Sequence, residues 1–445
     1  MRNRIVLVFL CFTVFVVKAQ EKPQDNVQQF TLKNGMKFLV LEDHSIPNAN
    51  MYIFWKVGSR NEYPGITGLS HFFEHMMFNG SKKYGPKMFD RTMEAAGGSN
   101  NAYTTEDVTV YTDWFPSTAI ETIFDLESDR VGHLAIDSAM VASERGVVLS
   151  ERSTGLENSN FRNLSEQVKG VAFLAHPYRW SVIGYESDIK NWTQQDLQNY
   201  FDTYYAPNNA VVVVSGDVTL SRVKQLAEQY FEPIASNEAP REVHTEEPEQ
   251  RGEKRVMVHK KVSTPNVLLA YHVPETKHKD YYALDVLSSV LSDGKSSRLY
   301  SSLVDEQELA TSAWAYMPQS FDANLFYLYG VASSDKIAAD VEAGFLKEIE
   351  KIKTTGITAQ ELQKVKNQKL VDFYRTLETI DGKSNTLGTY ELYFGDYKNM
   401  YTAADSYEKV TLEDVQRVAN TYFAKSNRTV GVLQDNETTI EAGTN

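Results

Sequence analysis

The chain has 445 residues, room for about three average domains at roughly 150 residues each. It is 42% hydrophobic and 23% charged, ordinary globular usage that excludes disorder, collagen and coiled coil. With 59 acidic and 45 basic residues it carries a net charge of −14, which repels phosphate backbones and counts against nucleic-acid binding.

At the N-terminus Arg2 and Arg4 precede an apolar run over residues 5–17, and Val17-Lys18-Ala19 puts small residues at the −3 and −1 positions of a cleavage site. Residues 1–19 therefore read as a secretory signal peptide, and the protein is expected to be exported, periplasmic or secreted. No later stretch approaches the ~18 unbroken apolar residues of a membrane span, so the mature chain is expected to have none. The single cysteine, Cys11, lies inside the signal. Disulfides, cysteine nucleophiles and thiolate metal sites are thereby excluded from the mature chain, and any metal site must be built from His, Asp and Glu.

Beyond a polar lead-in, residues 30–33 and 36–41 flank Asn34-Gly35, the strongest short hairpin signal. Residues 51–57 read as a strand. Residues 67–79 read as a helix, with Thr67 as N-cap and Gly80 just past its end. Gly97-Gly98 leads into a strand-like run over 101–114, and helical patterns follow over 118–134, 139–152 and 160–173.

The sequence then repeats itself. Thr193-Gln-Gln-Asp196, Thr203-Tyr204-Tyr205-Ala206 and an apolar strand recur as Thr411-Leu-Glu-Asp414, Thr421-Tyr422-Phe423-Ala424 and a second strand, at an offset of 218 (193 to 411). Asn50-Met51-Tyr52-Ile53 recurs as Asn266-Val267-Leu268-Leu269, at 216 (50 to 266). Two duplicated α+β domains follow, each a sheet covered by helices: residues 20–240 and 256–445. Residues 236–255 are polar and Glu-rich and carry Pro240 and Pro248, which places the linker at 241–255.

The chemistry concentrates in His71-Phe72-Phe73-Glu74-His75. On a helix, positions i and i+4 project from one face, so both imidazoles reach one metal ion, and Glu74 at i+3 lies beside them. Spacing alone leaves open a solvated helix face with two histidines. Downstream, Glu144 and Glu151 are seven residues, two helical turns, apart and share a face. Val147 and Val148 are expected to be buried beside them, and a carboxylate on a core-facing stripe is costly unless paired or metal-bound. Two histidines and one carboxylate make the open three-ligand zinc site typical of hydrolases.

His71-x-x-Glu74-His75, followed about 76 residues later by Glu144-Arg145-x-Val147-Val148-x-x-Glu151, resembles the inverted-zincin metallopeptidases. These are the pitrilysin or insulinase family, which includes the mitochondrial processing peptidase. Val57-Gly58-Ser59-Arg60 and Gly68-Leu69-Ser70 fit the same likeness, which spans essentially the whole mature chain. The resemblance implies one Zn2+ per chain on His71, His75 and Glu151, Glu74 as general base toward a zinc-bound water, and Glu144 orienting a ligand histidine. It further implies a mainly antiparallel sheet in each domain and a chain forming half of a clamshell. Residues 98–104 look like the family's substrate-binding edge strand, where a peptide adds as an extra strand along Asn101 and Ala102. His176-Pro177-Tyr178 is read as structural.

The resemblance also implies a partner. Active family members carry, in the later half, an Arg and a Tyr seven residues on, after a Ser-Ser-Arg-Leu-Tyr stretch. That stretch is Ser296-Ser297-Arg298-Leu299-Tyr300 here, but the two positions hold Val304 and Thr311, and the neighbouring Gly position is Glu308. Residues 285–289, in the region equivalent to the zinc helix, carry no metal motif. The expectation is a peptidase acting on peptides or unfolded small proteins, as a heterodimer with a related two-domain subunit that supplies the Arg–Tyr pair. A homodimer using Arg298 or Tyr300 is the alternative for assembly. A catalytically inactive scaffold or binding subunit is the alternative for function.

Overall fold

The computed structural model describes residues 26–436; the expected signal segment and Cys11 lie outside them. The first sheet contains β1 (Gln28–Thr31), β2 (Lys37–Glu42), β3 (Asn48–Trp55), β4 (Ser99–Thr104), β5 (Thr109–Pro116) and β6 (Ala210–Gly216). β1 and β2 form the hairpin around Asn34-Gly35, where Gly35 takes a φ of 88° that glycine tolerates without strain. The run expected over 101–114 is two strands, not one. Thr105 breaks it, its Oγ1 accepting hydrogen bonds from the Asp107 and Val108 amides at 3.1 and 3.0 Å.

The strand order is β1-β2-β6-β3-β5-β4, antiparallel throughout except between β2 and β6. The second sheet contains β7 (Lys254–His259), β8 (Asn266–Val273), β9 (Ala310–Tyr316), β10 (Asn324–Ala332) and β11 (Arg428–Gln434). Its order β7-β11-β8-β10-β9, with only β7 and β11 parallel, repeats β2-β6-β3-β5-β4. The register carries the duplication to single residues. Ser215 of β6 faces Asn50, and Leu433 of β11 faces Asn266, reproducing both sequence offsets, 218 (215 to 433) and 216 (50 to 266). The chain is thus an α+β duplication, with the two halves arranged as half of a clamshell.

The halves are not closed units, because each lends a helix to the other. Helix Asn160–Ala172 of the first half lays Leu164 and Val168 on the second sheet, over Gly431 of β11. Helix Ile380–Tyr393 of the second half lays Leu387 on the first sheet among Leu39, Tyr52, Phe54 and Val213. Glycine is required where the backbones approach: a Cβ on Gly431 would overlap Val168, and one on Gly388 would overlap Phe54. Polar contacts pin the exchange. Ser384 donates to Asn50 Oδ1, and Lys383 meets Asp43 at 2.6 Å.

His176-Pro177-Tyr178 belongs to this junction. Tyr178 donates to buried Asp107 at 2.6 Å, while Arg60 and His176 both reach Asp322 of the second half, at 2.6 and 3.2 Å. Those residues hold the halves together.

Candidate metal centre

The helix carrying the histidine motif runs Leu69–Met76 and buries Leu69, Phe72, Phe73 and Met76 against the first sheet. Each of these apolar groups contributes about 1.5–3 kcal/mol on burial, which fixes the helix azimuth and turns His71 and His75 the other way. Thr67 is not its cap. The backbone enters the helix at Gly68 with φ 90°, and Thr67 instead donates to Asp188 at 2.7 Å. The first-turn amides of Gly68 and Ser70 donate to the buried carboxylate of Glu62 at 2.7 and 2.8 Å. Burial pushes Glu62 up to about 8. No spacing in the sequence marks Glu62, because it acts across a loop.

His71 and His75 meet edge-on one turn apart, ring centroids 4.7 Å and planes inclined by 61°. Glu151 reaches them from helix Ser138–Asn158, its Oε2 3.7 Å from His71 Nε2 and 3.4 Å from His75 Nε2. One donor atom from each of the three lies within 4.8 Å of the other two, and among the described residues this is the only such group of three. Two imidazole nitrogens and a carboxylate oxygen with no thiol form a donor set that suits Zn2+. Burial, with His75 alongside, pushes His71 down to about 4, which keeps it neutral, the form that ligates. Burial alone would lower His75 too, but hydrogen bonds to Glu144 and Glu151 push it up to about 9. The same two carboxylates make this a place for a cation.

Glu144 accepts from His75 Nδ1 at 2.7 Å and from Asn79 Nδ2 at 2.6 Å. That leaves His75 Nε2 to face the cluster. Asn79, one turn beyond His75, lies outside the histidine motif, although its i+4 spacing carries the signal. Val148 is buried as expected, whereas Val147 is 49% exposed beside a Glu151 that is 41% exposed. The acidic helix meets the core along Val141, Val148 and Arg152, so its Val147–Glu151 edge opens outward.

Glu74 shares the motif face and accepts from Thr104 Oγ1 at 2.5 Å. Burial raises its pKa above the usual carboxylate range. Thr104 is the last residue of β4, the outer strand of its sheet, paired only with β5. Asn101 is exposed on that strand and Ala102 half-buried. The open edge therefore runs to the Glu74 carboxylate.

In the second half, Val304 is half-buried in a π-helical turn over Tyr300–Glu306, and Thr311 is exposed on β9. Glu308 takes φ 49°, the left-handed conformation that favours glycine. Arg298 is forked onto Glu361 at 2.6 and 2.9 Å and also donates to the Gly356 carbonyl, so its guanidinium is committed within its own domain.

Residues 37–179 match the family Insulinase (Peptidase family M16), and residues 191–369 match Peptidase M16 inactive domain. The chain is 33% identical over 416 residues to the zinc protease PqqE of Helicobacter pylori, covering 92% of each. It is 25% identical to the uncharacterized zinc protease YmxG of Bacillus subtilis, over 90% of this chain and 96% of that one. Among solved structures it is similar to a protease from Helicobacter pylori, at a TM-score of 0.89 and 32% identity, covering 92% of this chain and 99% of that one. It shares the fold of the periplasmic protease PqqL of Escherichia coli at a TM-score of 0.78 and 19% identity, covering 95% of this chain but 49% of that one.

Proposed function

The chain belongs to the insulinase family, peptidase family M16, and from that membership we propose a zinc-dependent endopeptidase that hydrolyses peptides or unfolded small proteins in a closed chamber. One observation carries this reading. His71, His75 and Glu151 converge within 4.8 Å beside a half-buried Glu74 that is tied to the end of an open edge strand. The relatives' designation as zinc proteases supports it.

His71, His75 and Glu151 hold the ion, one per chain, and Glu144 fixes His75. A zinc ion held there would supply Lewis acidity toward a water and the scissile carbonyl. The substrate adds to the edge of β4 along Asn101 and Ala102, main chain to main chain, which aims its scissile carbonyl at the cluster. Glu74 takes the proton of the attacking water and returns it to the leaving amine. Its raised pKa suits both transfers.

The domain division at 20–240 and 256–445, with the linker 241–255, belongs to the same reading, as does export with cleavage after Ala19. No helix among the described residues is long and apolar enough to cross a membrane. The chamber needs a second such unit, and the PqqL protein, about twice this length, supports that requirement. With Val304 and Thr311 in place of the Arg–Tyr pair and Arg298 engaged by Glu361, a related partner supplies the oxyanion donors in a heterodimer.

The test is Glu74→Gln, which keeps zinc by elemental analysis and loses peptide hydrolysis, alongside His71→Ala and Glu151→Ala, which lose zinc as well. Full activity of Glu74→Gln overturns the mechanism. A native protein that neither holds zinc nor cuts peptides is the scaffold subunit instead. Robust turnover by the pure protein alone overturns the heterodimer.

A further inference from the structure

A cavity of about 310 Å³ opens directly off the metal cluster, lined by His71 and Glu151 of the cluster and by Phe161, Arg162 and Ile183. Thr104, the end of the edge strand, also lines it. A peptide paired along β4 therefore has a side chain beside its scissile bond positioned over this cavity.

The charges in the cavity are mostly spent. Arg152 is forked onto Glu166 at 2.8 and 2.9 Å, Ser181 also donates to Glu166, and Lys169 is paired with Glu106. Glu151 is committed to the cluster. Arg162 alone among the cavity's cations joins no ion pair among the described residues. Arg162 is exposed. The guanidinium lies across the acidic helix at Gly155, one turn beyond Glu151, and a Cβ on Gly155 would sit 3.0 Å from Arg162 Nη1. Phe161 gives the cavity an apolar wall, itself braced edge-on by Trp314 and Tyr329 of the second half at 4.9 and 5.1 Å.

We propose that this cavity is a specificity pocket for an acidic side chain, Asp or Glu, flanking the scissile bond, with Arg162 receiving the carboxylate and Phe161 covering the aliphatic stem. A guanidinium that joins no ion pair, with only the Glu151 carboxylate in its field and an apolar wall beside it, fits a short anionic side chain in charge and geometry, and repels Lys and Arg. The inference rests on the peptidase reading above and adds its substrate preference.

The test uses the zinc-loaded protein, with any partner that co-purifies, and one peptide sequence carrying Glu, Gln or Lys next to the cut. Each peptide is made as free acid and as C-terminal amide, and products are mapped by mass spectrometry. The native protein should prefer Glu over Lys by roughly tenfold in kcat/KM, with Gln between and amidation without effect. Arg162→Gln should bring the Glu/Gln ratio near one, and Arg162→Glu should invert the Glu/Lys order. A second readout is the Kd of fluorescent versions of the peptides for Glu74→Gln, which should rank the same way. A flat or Lys-favouring ranking, one unmoved by Arg162→Glu, or one abolished by amidation overturns the pocket; the last would assign Arg162 to the terminal carboxylate of a peptide. If no peptide is hydrolysed the peptidase reading fails by itself, and the Kd ranking still decides Arg162.

Discussion

Glu144 is the perturbation that most directly tests how the cluster is held. It spans His75 Nδ1 at 2.7 Å and Asn79 Nδ2 at 2.6 Å, and its side chain is 13% exposed. Glu144→Ala strips the acceptor from a half-buried imidazole and leaves Asn79 Nδ2 with only the His75 carbonyl at 3.5 Å. Each lost charge-assisted bond is worth about 1.5–3 kcal/mol, and water entering the vacated space recovers part of it. The net loss should be about 1.4–2.7 kcal/mol, a tenfold to hundredfold weakening of zinc binding. Glu144→Gln keeps an oxygen for His75 but turns its amide donor toward the Asn79 donor, so its effect should fall near tenfold. Asn79→Ala removes only the group that orients Glu144 and should cost less still. Competition with a chelating dye at fixed pH gives all three constants. An unchanged affinity for Glu144→Ala, or an Asn79→Ala effect as large as that of Glu144→Ala, would refute the proposed line of support.

Three further outcomes follow from the fold. Gly388→Ala drives a methyl into Phe54 at the exchanged helix and should cost about 1–3 kcal/mol, whereas Gly170→Ala, open on the other exchanged helix, should gain up to about 1 kcal/mol. Calorimetric midpoints should move in opposite directions, and a common direction contradicts the packing described. Glu308→Gly relieves a left-handed backbone at φ 49° and should raise the melting temperature by an amount equivalent to at most about 1 kcal/mol. Against burial, which alone would raise it, the Arg298 fork and Thr358 draw Glu361 down to about 2, and the Lys383 hydrogen bond first, then Ser45, draws Asp43 down to about 2. Folded pKa values below the unfolded ones mean that this stability is fully present above about pH 5 and is lost as pH falls toward 2. Urea midpoints of Glu361→Gln should therefore fall less between pH 5 and pH 3 than those of the native protein, and an equal fall argues against the pair.

What the sequence determined by itself was periodic and local. The i,i+4 histidines and the i,i+7 glutamates share helix faces because 3.6 residues per turn puts them there in any environment. The Asn34-Gly35 hairpin and the repeat offsets of 218 and 216 are equally legible, since turn chemistry and duplication are written in neighbouring residues. Only the tertiary structure decided what those faces meet. The exchange of helices Asn160–Ala172 and Ile380–Tyr393 follows from Gly431 and Gly388, whose missing Cβ atoms matter only once a distant helix arrives. Val147 and Val148 are the same residue type side by side, yet one is exposed and the other buried, because the contact line of the acidic helix is drawn by the partner surface. Glu62 and Thr104 reached the site across a loop and from a strand, where no fixed spacing applies. Arg298 and Arg162 look alike in the sequence. Glu361 neutralises the first, while the second lines the cavity and joins no ion pair among the described residues, a difference that long-range packing creates.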